Sequence, residues 1–454
     1  MSSGFSASAD KSGGYAFAPT AVVPSLLEPL RESRRINSVD VIRGVALLGI
    51  LLMNIVAMGL PGESYDDPTV IGGSTGRNLG AWLTTNLLFE GTMRGMFSAL
   101  FGAGVLLFTG KDADKVNGVS IADAWYRRMI WAFIFGLIHA YILLWPGDIL
   151  YSYGLMGMFA FPFRRVRPLR LFAFGLGLLF AGSLVSQIEN ARMLELHAQA
   201  EQAELAKVRS EVLSKDAEGA LKKWNELVEQ RKPTPAALAE QITATQSGYI
   251  GAFQVREHVT TFFRSVFHLR YDYFDVLGMM LVGMALFKWG VFHATLPARV
   301  YAAMLVMGYA VGLGVNWREV SLIQADNFSV VSFQRAAITY DLGRFAMMAG
   351  HIGVIMLLCR SGLFGWFTSR LAAVGRMALT NYILHTVITS IVFVGFGQFG
   401  RWERHELYYL VAGIWLFQLI ASPIWLQHFR FGPLEWVWRA LTYLQRPPFR
   451  RGAE

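Results

Sequence analysis

An ionised side chain at the centre of a membrane helix costs roughly 2.5–3.5 kcal/mol on insertion scales, so charges inside apolar runs are the first places to look for chemistry. Two such sets share a spacing. Asp40, Arg43 and Asn54 lie three and eleven residues apart, and Arg128 and His139 are also eleven apart. With 3.6 residues per turn, each set falls on one face of its helix. An arginine at the rim of the bilayer is suited to phosphate, and a buried histidine to taking a proton. The plainer readings are an i,i+3 ion pair, an asparagine joining two helices, a positive anchor and a packing histidine. Spacing alone leaves both sets of readings open.

Further polar groups interrupt other apolar runs. Glu90, Thr92 and Arg94 stand beside Gly91 and Gly95, and Asp148 follows the turn Pro146-Gly147. The glycines are accounted for by close helix packing, but the glutamate is not. Asp341, Arg344 and His351 lie close to one face, and Arg376, Asn381, Tyr382 and His385 form another patch. Taken singly, each is a helix-joining hydrogen-bond network; together, at least four spans with polar groups point to a polar cavity within a bundle. The single cysteine, Cys359, allows no internal disulfide, and the sequence offers no metal-binding Cys/His cluster.

The elements that must position these groups are membrane helices. Of the 454 residues 54% are hydrophobic and only 16% charged, more apolar than a soluble core needs. The apolar blocks run to about 20 residues without period-two alternation, which selects helices over barrel strands. The expected fold is all-α, a polytopic membrane helical bundle of about ten transmembrane helices with a helical extramembrane insertion. The expected spans are 41–60, 87–109, 129–145, 149–163, 171–186, 273–291, 299–316, 337–359, 371–398 and 407–427. Residues 187–262 read as a polar helical insertion, broken at the Lys-Pro-Thr-Pro turn of residues 232–235.

Basic residues set the orientation. Arg31, Arg34 and Arg35 precede the first span and Arg43 lies at its start, Lys111 and Lys115 follow the second, Arg127 and Arg128 open the third, and Arg164, Arg165, Arg167 and Arg170 follow the fourth. By the positive-inside rule these loops and both termini are cytoplasmic, with 187–262 in the periplasm. The expected division is a flexible tail (1–35), a first membrane half (36–186), the insertion (187–262), a second membrane half (263–430) and a basic tail (431–454). A net charge of +9 suggests nucleic acid, but the basic residues lie in short loops and form no basic domain with interleaved aromatics. No nucleic-acid partner is expected.

The segments SVDVIRGVALLGILLMNI (38–55), FEGTMRGMFSALFGAGV (89–105), GLIHAYILLWPGDILYSYGLMG (136–157), VGRMALTNYILHTVI (374–388) and FRFGPLEWVWRALTY (429–443) resemble the YeiB family of bacterial inner-membrane proteins. His385 stands where most relatives are expected to carry Gln. The first spans of that family are similar to those of transmembrane acyltransferases, both the acyltransferase-three proteins that O-acetylate surface polysaccharides and the lysosomal heparan-glucosaminide acetyltransferase. In the polysaccharide enzymes a first-span Arg precedes a His by eleven residues, and a later span carries a second Arg/His pair of that spacing. Arg128 and His139 match the second pair; Asn54 occupies the place of the first His. The lysosomal enzyme also has Asn there and uses a His in the following loop, whereas this chain has none between Leu60 and Leu87.

The resemblance implies transfer of an acyl group, acetyl in the first instance, from a cytoplasmic coenzyme A thioester to a membrane or periplasmic acceptor. His139 would be the base with Asp148 or Glu90 on the acceptor side. Arg43 and Arg128, with Asp40, would hold the donor, and Asn54, Arg94, Asn381 and His385 would position substrate. No permanently bound cofactor or metal is expected, and acyl-coenzyme A is a co-substrate. The expected partners are the lipid bilayer, that donor and a glycan or lipid acceptor, with a homodimer left open. The competing reading is a transporter of a small anionic or acylated metabolite, in which the same arginines bind cargo and Glu90 or Asp148 relays protons.

Overall fold

The computed structural model describes residues 36–110 and 118–452. The 1–35 tail, with Arg31, Arg34 and Arg35, and also Lys111 and Lys115, lie outside the described residues. Residues Ile36–Glu454 form one compact unit. Among the described residues there are helices and no strand; a lone bridge joins Phe429 to Arg450.

The helices are α1 (Asn37–Gly59), α2 (Gly76–Leu88), α3 (Thr92–Thr109), α4 (Gly118–Tyr141), α5 (Leu150–Ala160), α6 (Pro168–Val208), α7 (Lys215–Arg231), α8 (Pro235–Gln246), α9 (Tyr249–Phe263), α10 (Val266–Asp272), α11 (Gly278–Lys288), α12 (Ala298–Ala325), α13 (Val330–Ala336), α14 (Tyr340–Ser361), α15 (Gly365–Arg376), α16 (Ala378–Ser390), α17 (Arg404–His428) and α18 (Pro433–Tyr443). A single π-helical turn, Tyr273–Leu277, links α10 to α11, and another, Ile391–Gly395, ends α16.

Among the described residues seven stretches are long and apolar enough to cross a membrane, not ten: 37–59, 76–109, 168–208, 298–325, 340–361, 378–395 and 404–428. The expected spans at 129–145, 149–163 and 273–291 fall instead on α4, on the short α5, and on the α10–π–α11 run. Two expected spans are also broken. The one at 87–109 is interrupted at Phe89-Glu90-Gly91, where Gly91 is left-handed (φ 65°) and caps α3. A Cβ there would collide with the Tyr340 hydroxyl, so glycine is required on both counts. The one at 371–398 is cut at Met377 between α15 and α16; Val374 O, an end carbonyl of α15, accepts from Met377 N–H and also from the Asn381 side chain across the break.

Close backbone crossings hold the bundle. α1 packs chiefly on α15 and α3, α3 on α11, α12 on α14, and α4 on α5 and α18. At the α1–α15 crossing, a Cβ on Gly44 would run into Leu371 O and one on Gly375 into Asp40 O. An apolar cluster of Leu51, Ile55, Val56, Met58, Trp145, Phe393, Leu407, Val411 and Ile414 ties α1, α17 and the end of α16 to the loop after α4.

The insertion breaks at the expected place. α7 ends at Arg231, the Thr234 hydroxyl accepts from Ala237 N–H, and Pro235 opens α8. It breaks again at residues 209–214 and 247–248, and its first part continues the fifth span without interruption, as the 41-residue α6.

Candidate functional site

His139 lies near the C-terminus of α4, and Trp145 N–H folds back onto its carbonyl as the chain turns towards α5. This turn returns Asp148 to the imidazole. His139 Nδ1 is 2.8 Å from Asp148 Oδ1, and His139 Nε2 is 2.7 Å from the Thr386 hydroxyl of α16. All three are buried: His139 is 0% exposed, Asp148 4% and Thr386 2%. A carboxylate can only accept, so Nδ1 carries the proton, and Nε2 is left with its lone pair towards the hydroxyl. The order hydroxyl, imidazole, carboxylate is the arrangement by which a base takes a proton from an O–H group.

The surroundings fix it. Asp148 Oδ2 accepts from Tyr151 N–H (2.9 Å) and lies 3.9 Å from Arg264. The Tyr382 ring stands edge-on to the imidazole, centroids 5.0 Å apart, and its hydroxyl accepts from Ile149 N–H. Next along α16, His385 Nε2 is bonded to Gln418 Oε1 (3.1 Å), and Gln418 donates in turn to Asn381 O. Asn381 Nδ2 contacts Val374 O and the Ser422 hydroxyl, so its amide is engaged in joining α15, α16 and α17.

The second group lies at the end of the bundle where α1 begins. Arg43 is paired with Asp40 at 2.8 Å. On α4, Arg128 lies flat on Trp438 of α18, its guanidinium carbon 3.6 Å from the ring centroid, while Arg128 O accepts from Trp438 Nε1–H. Arg439 and Arg43 are both near enough to act on Arg128 electrostatically, with Tyr443 and Glu435 also in its field. Three guanidinium groups from α1, α4 and α18 thus share one region. Glu435 is otherwise occupied: it accepts from Leu379 N–H, Thr380 N–H and the Thr380 hydroxyl at the start of α16, and burial pushes its carboxyl up while those bonds oppose the shift.

Glu90 and Arg94 belong to a third group. Glu90 accepts from the Tyr65 and Tyr340 hydroxyls, both at 3.0 Å. Arg94 pairs with Asp275 at 3.2 Å; Arg344 pairs with Asp275 and, at 2.8 Å, with Asp341. Of the two acceptor-side residues expected beside His139, Asp148 is bonded to it and Glu90 is bonded elsewhere. His351 packs edge-on to Phe89 and Tyr309. Asn54 is half-buried on α1. The stripes on α1 and α4 approach at Arg43 and Arg128, while at the far end α16 connects them, through Thr386 to His139 and through Thr389 to Met58.

Thr386, Trp438, Arg439 and Arg264 were not among the residues expected at these sites. A signal existed for Asp275, an acid inside the expected span 273–291. None existed for Thr386, whose partner is 247 residues away.

Fold and geometry define a polytopic helical membrane protein with a buried hydroxyl–imidazole–carboxylate group at one end and clustered arginines at the other. Residues 286–445 match the family model described as "Protein of unknown function (DUF418)". The chain is similar to "Uncharacterized protein YeiB" of Escherichia coli (28% identical, covering 89% of this chain and 95% of that protein). It is also similar to "Uncharacterized protein YxaH" of Bacillus subtilis (26%, covering 94% and 99%) and to an uncharacterized 39.9 kDa protein from the amylase 3' region of Bacillus acidopullulyticus (25%, covering 93% and 98%). The likeness to the YeiB family thus extends over nearly the whole chain. No solved structure matches it significantly.

Proposed function

We propose that this protein is a membrane acyltransferase that moves an acyl group, acetyl in the first instance, from a coenzyme A thioester to a hydroxyl or amine acceptor. The observation that carries the reading is the His139 contact set: Asp148 fixes the tautomer, and a hydroxyl already sits 2.7 Å from Nε2. An acceptor O–H taking the place of Thr386 would give its proton to Nε2 as its oxygen attacks the thioester carbonyl. The C–S bond then breaks, and the departing thiolate takes the proton from His139, so the base is regenerated. Asn54 is a candidate donor to the oxyanion. Arg43, Arg128 and Arg439 supply positive charge for the donor's phosphates.

The donor end is tested by Arg128→Ala. We expect the KM for acetyl-coenzyme A to rise at least tenfold, as loss of about 1.4 kcal/mol or more of phosphate binding requires, while turnover at saturation changes little. An unchanged KM, measured as labelled acetyl transferred to a membrane fraction, would remove Arg128 from the donor site.

The proposed setting is a bacterial inner membrane with both termini in the cytoplasm and the insertion in the periplasm, supported by arginines at the end that carries Arg43. After Cys359→Ser, a cysteine placed at exposed Glu229 should react with an impermeant maleimide in intact cells. Reaction only after lysis sinks this orientation.

A transporter of a small anionic or acylated metabolite is the second reading. The group of half-buried Glu90, Arg94 and Asp275 around buried Arg344, separate from His139, is the observation that favours it. Uptake of a labelled solute into proteoliposomes without acyl transfer would decide for it.

A further inference from the structure

The loop from Ile142 to Ile149 joins His139 to Asp148, and its backbone is gripped from outside. The Tyr249 hydroxyl donates to Ile142 O (2.9 Å), Arg256 Nη1 to Leu144 O (3.1 Å) and Arg264 Nη2 to Pro146 O (3.3 Å). The three donors lie seven and eight residues apart on α9 and the residue that closes it, which puts them in a row on one side of the helix. The three acceptors are alternate carbonyls of the loop. Leu144 is left-handed (φ 57°), a conformation that costs a non-glycine residue and persists only where neighbours impose it. Ala252 of α9 packs on it together with Val394. Arg256 also donates to Met58 O, and Gln246 of α8 to Phe399 O, so the insertion is fastened to α1 and α17's leading loop as well.

Arg264 does more than hold backbone. Its side chain is 7% exposed, its Nη2 is 3.9 Å from Asp148 Oδ2, and its guanidinium carbon is 4.9 Å from the centroid of Tyr151, the residue whose N–H also bonds that oxygen. Its Nε is buried and has no hydrogen-bond partner among the described residues.

We propose that Arg264 is a positioning residue of the site, and that α9, the last helix of the insertion, serves the site by delivering this closing residue against Asp148; the catalytic consequence rests on the acyl-transfer reading above. Asp148 must present Oδ1 to His139 Nδ1 for Nε2 to stay a proton acceptor. Tyr151 N–H and Arg264 engage Oδ2, and between them they stop the carboxylate from rotating. Removing the guanidinium leaves one neutral donor on Oδ2 and frees the Pro146 carbonyl two residues upstream. The imidazole then loses its fixed orientation. Donor binding is unaffected, because the arginines at the other end of the bundle are untouched.

The test uses the full chain in phospholipid nanodiscs and compares Arg264→Lys, Arg264→Met and Arg264→Gln, so that the result does not hang on one variant's folding. Acetyl transfer from acetyl-coenzyme A should fall in kcat by about 100-fold for Met and Gln, the size expected when a reacting group is misplaced by an ångström, with KM for the donor unchanged. Lys, which keeps the charge, should recover most of the loss. Hydrogen exchange of residues 142–151 should quicken in Met and Gln and stay near wild type in Lys. Wild-type kcat in the Met and Gln variants, a rise in KM in place of the fall in kcat, or Lys no better than Met would each overturn the assignment. If the wild type transfers no acetyl group, the acyl-transfer reading fails separately, and hydrogen exchange alone decides: faster exchange in Met and Gln but not in Lys upholds the positioning of the Asp148 loop, and unchanged exchange overturns it.

Discussion

His139→Gln is expected to reduce acyl transfer by about 1,000-fold, within the range that general-base catalysis contributes. Glutamine is the informative replacement because alanine would leave two buried partners, the Asp148 carboxylate and the Thr386 hydroxyl, without the group that bonds both. Such orphaned groups cost roughly 1–3 kcal/mol each, and a loss of fold would then be confused with a loss of chemistry. An amide can still donate to Asp148 and bond the hydroxyl, but it cannot take a proton at neutral pH. The measurement pairs labelled acetyl transfer with thermal unfolding in detergent. Activity within tenfold of wild type in a folded His139→Gln protein would exclude His139 as the base.

The largest stability effect is expected where two backbones touch. A Cβ on Gly102 of α3 would overlap Met280 O of α11, and one on Gly283 of α11 would overlap Ala99 O of α3. In a bilayer such close approach supplies much of the attraction between helices, since lipid tails are as apolar as leucine. Gly102→Leu must push α11 away along its whole contact, and overpacking of this kind costs typically 1–3 kcal/mol and can cost more. Gly104, two residues on, has nothing within 4 Å of an added Cβ. Gly104→Leu is therefore the control. A clear drop in unfolding temperature is expected for the first and none for the second; equal behaviour would mean that the α3–α11 crossing does not hold the bundle.

The sequence was informative where the physics is local. The apolar blocks announce helices, the Lys-Pro-Thr-Pro turn announces a break because proline has no N–H to donate and threonine caps the next helix, and α7 and α8 obey both. His139 was legible as a costly buried group and Asp148 as a polar residue of the turn that follows it, nine positions on. The tertiary pairings could not be read. Thr386 looks like any other hydroxyl on α16 until α4 is laid beside it. The break at Met377 carries neither proline nor glycine, and its support, the Asn381 and Ser422 amide–hydroxyl bond, comes from another helix. Glu90 was legible as a residue needing a partner, but the Tyr65 and Tyr340 hydroxyls that provide one lie 25 and 250 residues away.

The length of α6 has a mechanical consequence. At 1.5 Å per residue its 41 residues make a rod of about 60 Å, twice the roughly 30 Å of bilayer hydrocarbon. No hinge separates the half within lipid from the half beyond it, and the outer half is braced on α7 by His197 against Trp224. Whatever inclines the span inclines the projecting half by the same angle. Membrane helices tilt to match local bilayer thickness, and a change of about 10° carries the far end of a 60 Å lever some 10 Å sideways. Lipid thickness on one side is thus transmitted as displacement on the other, through a single unbroken helix.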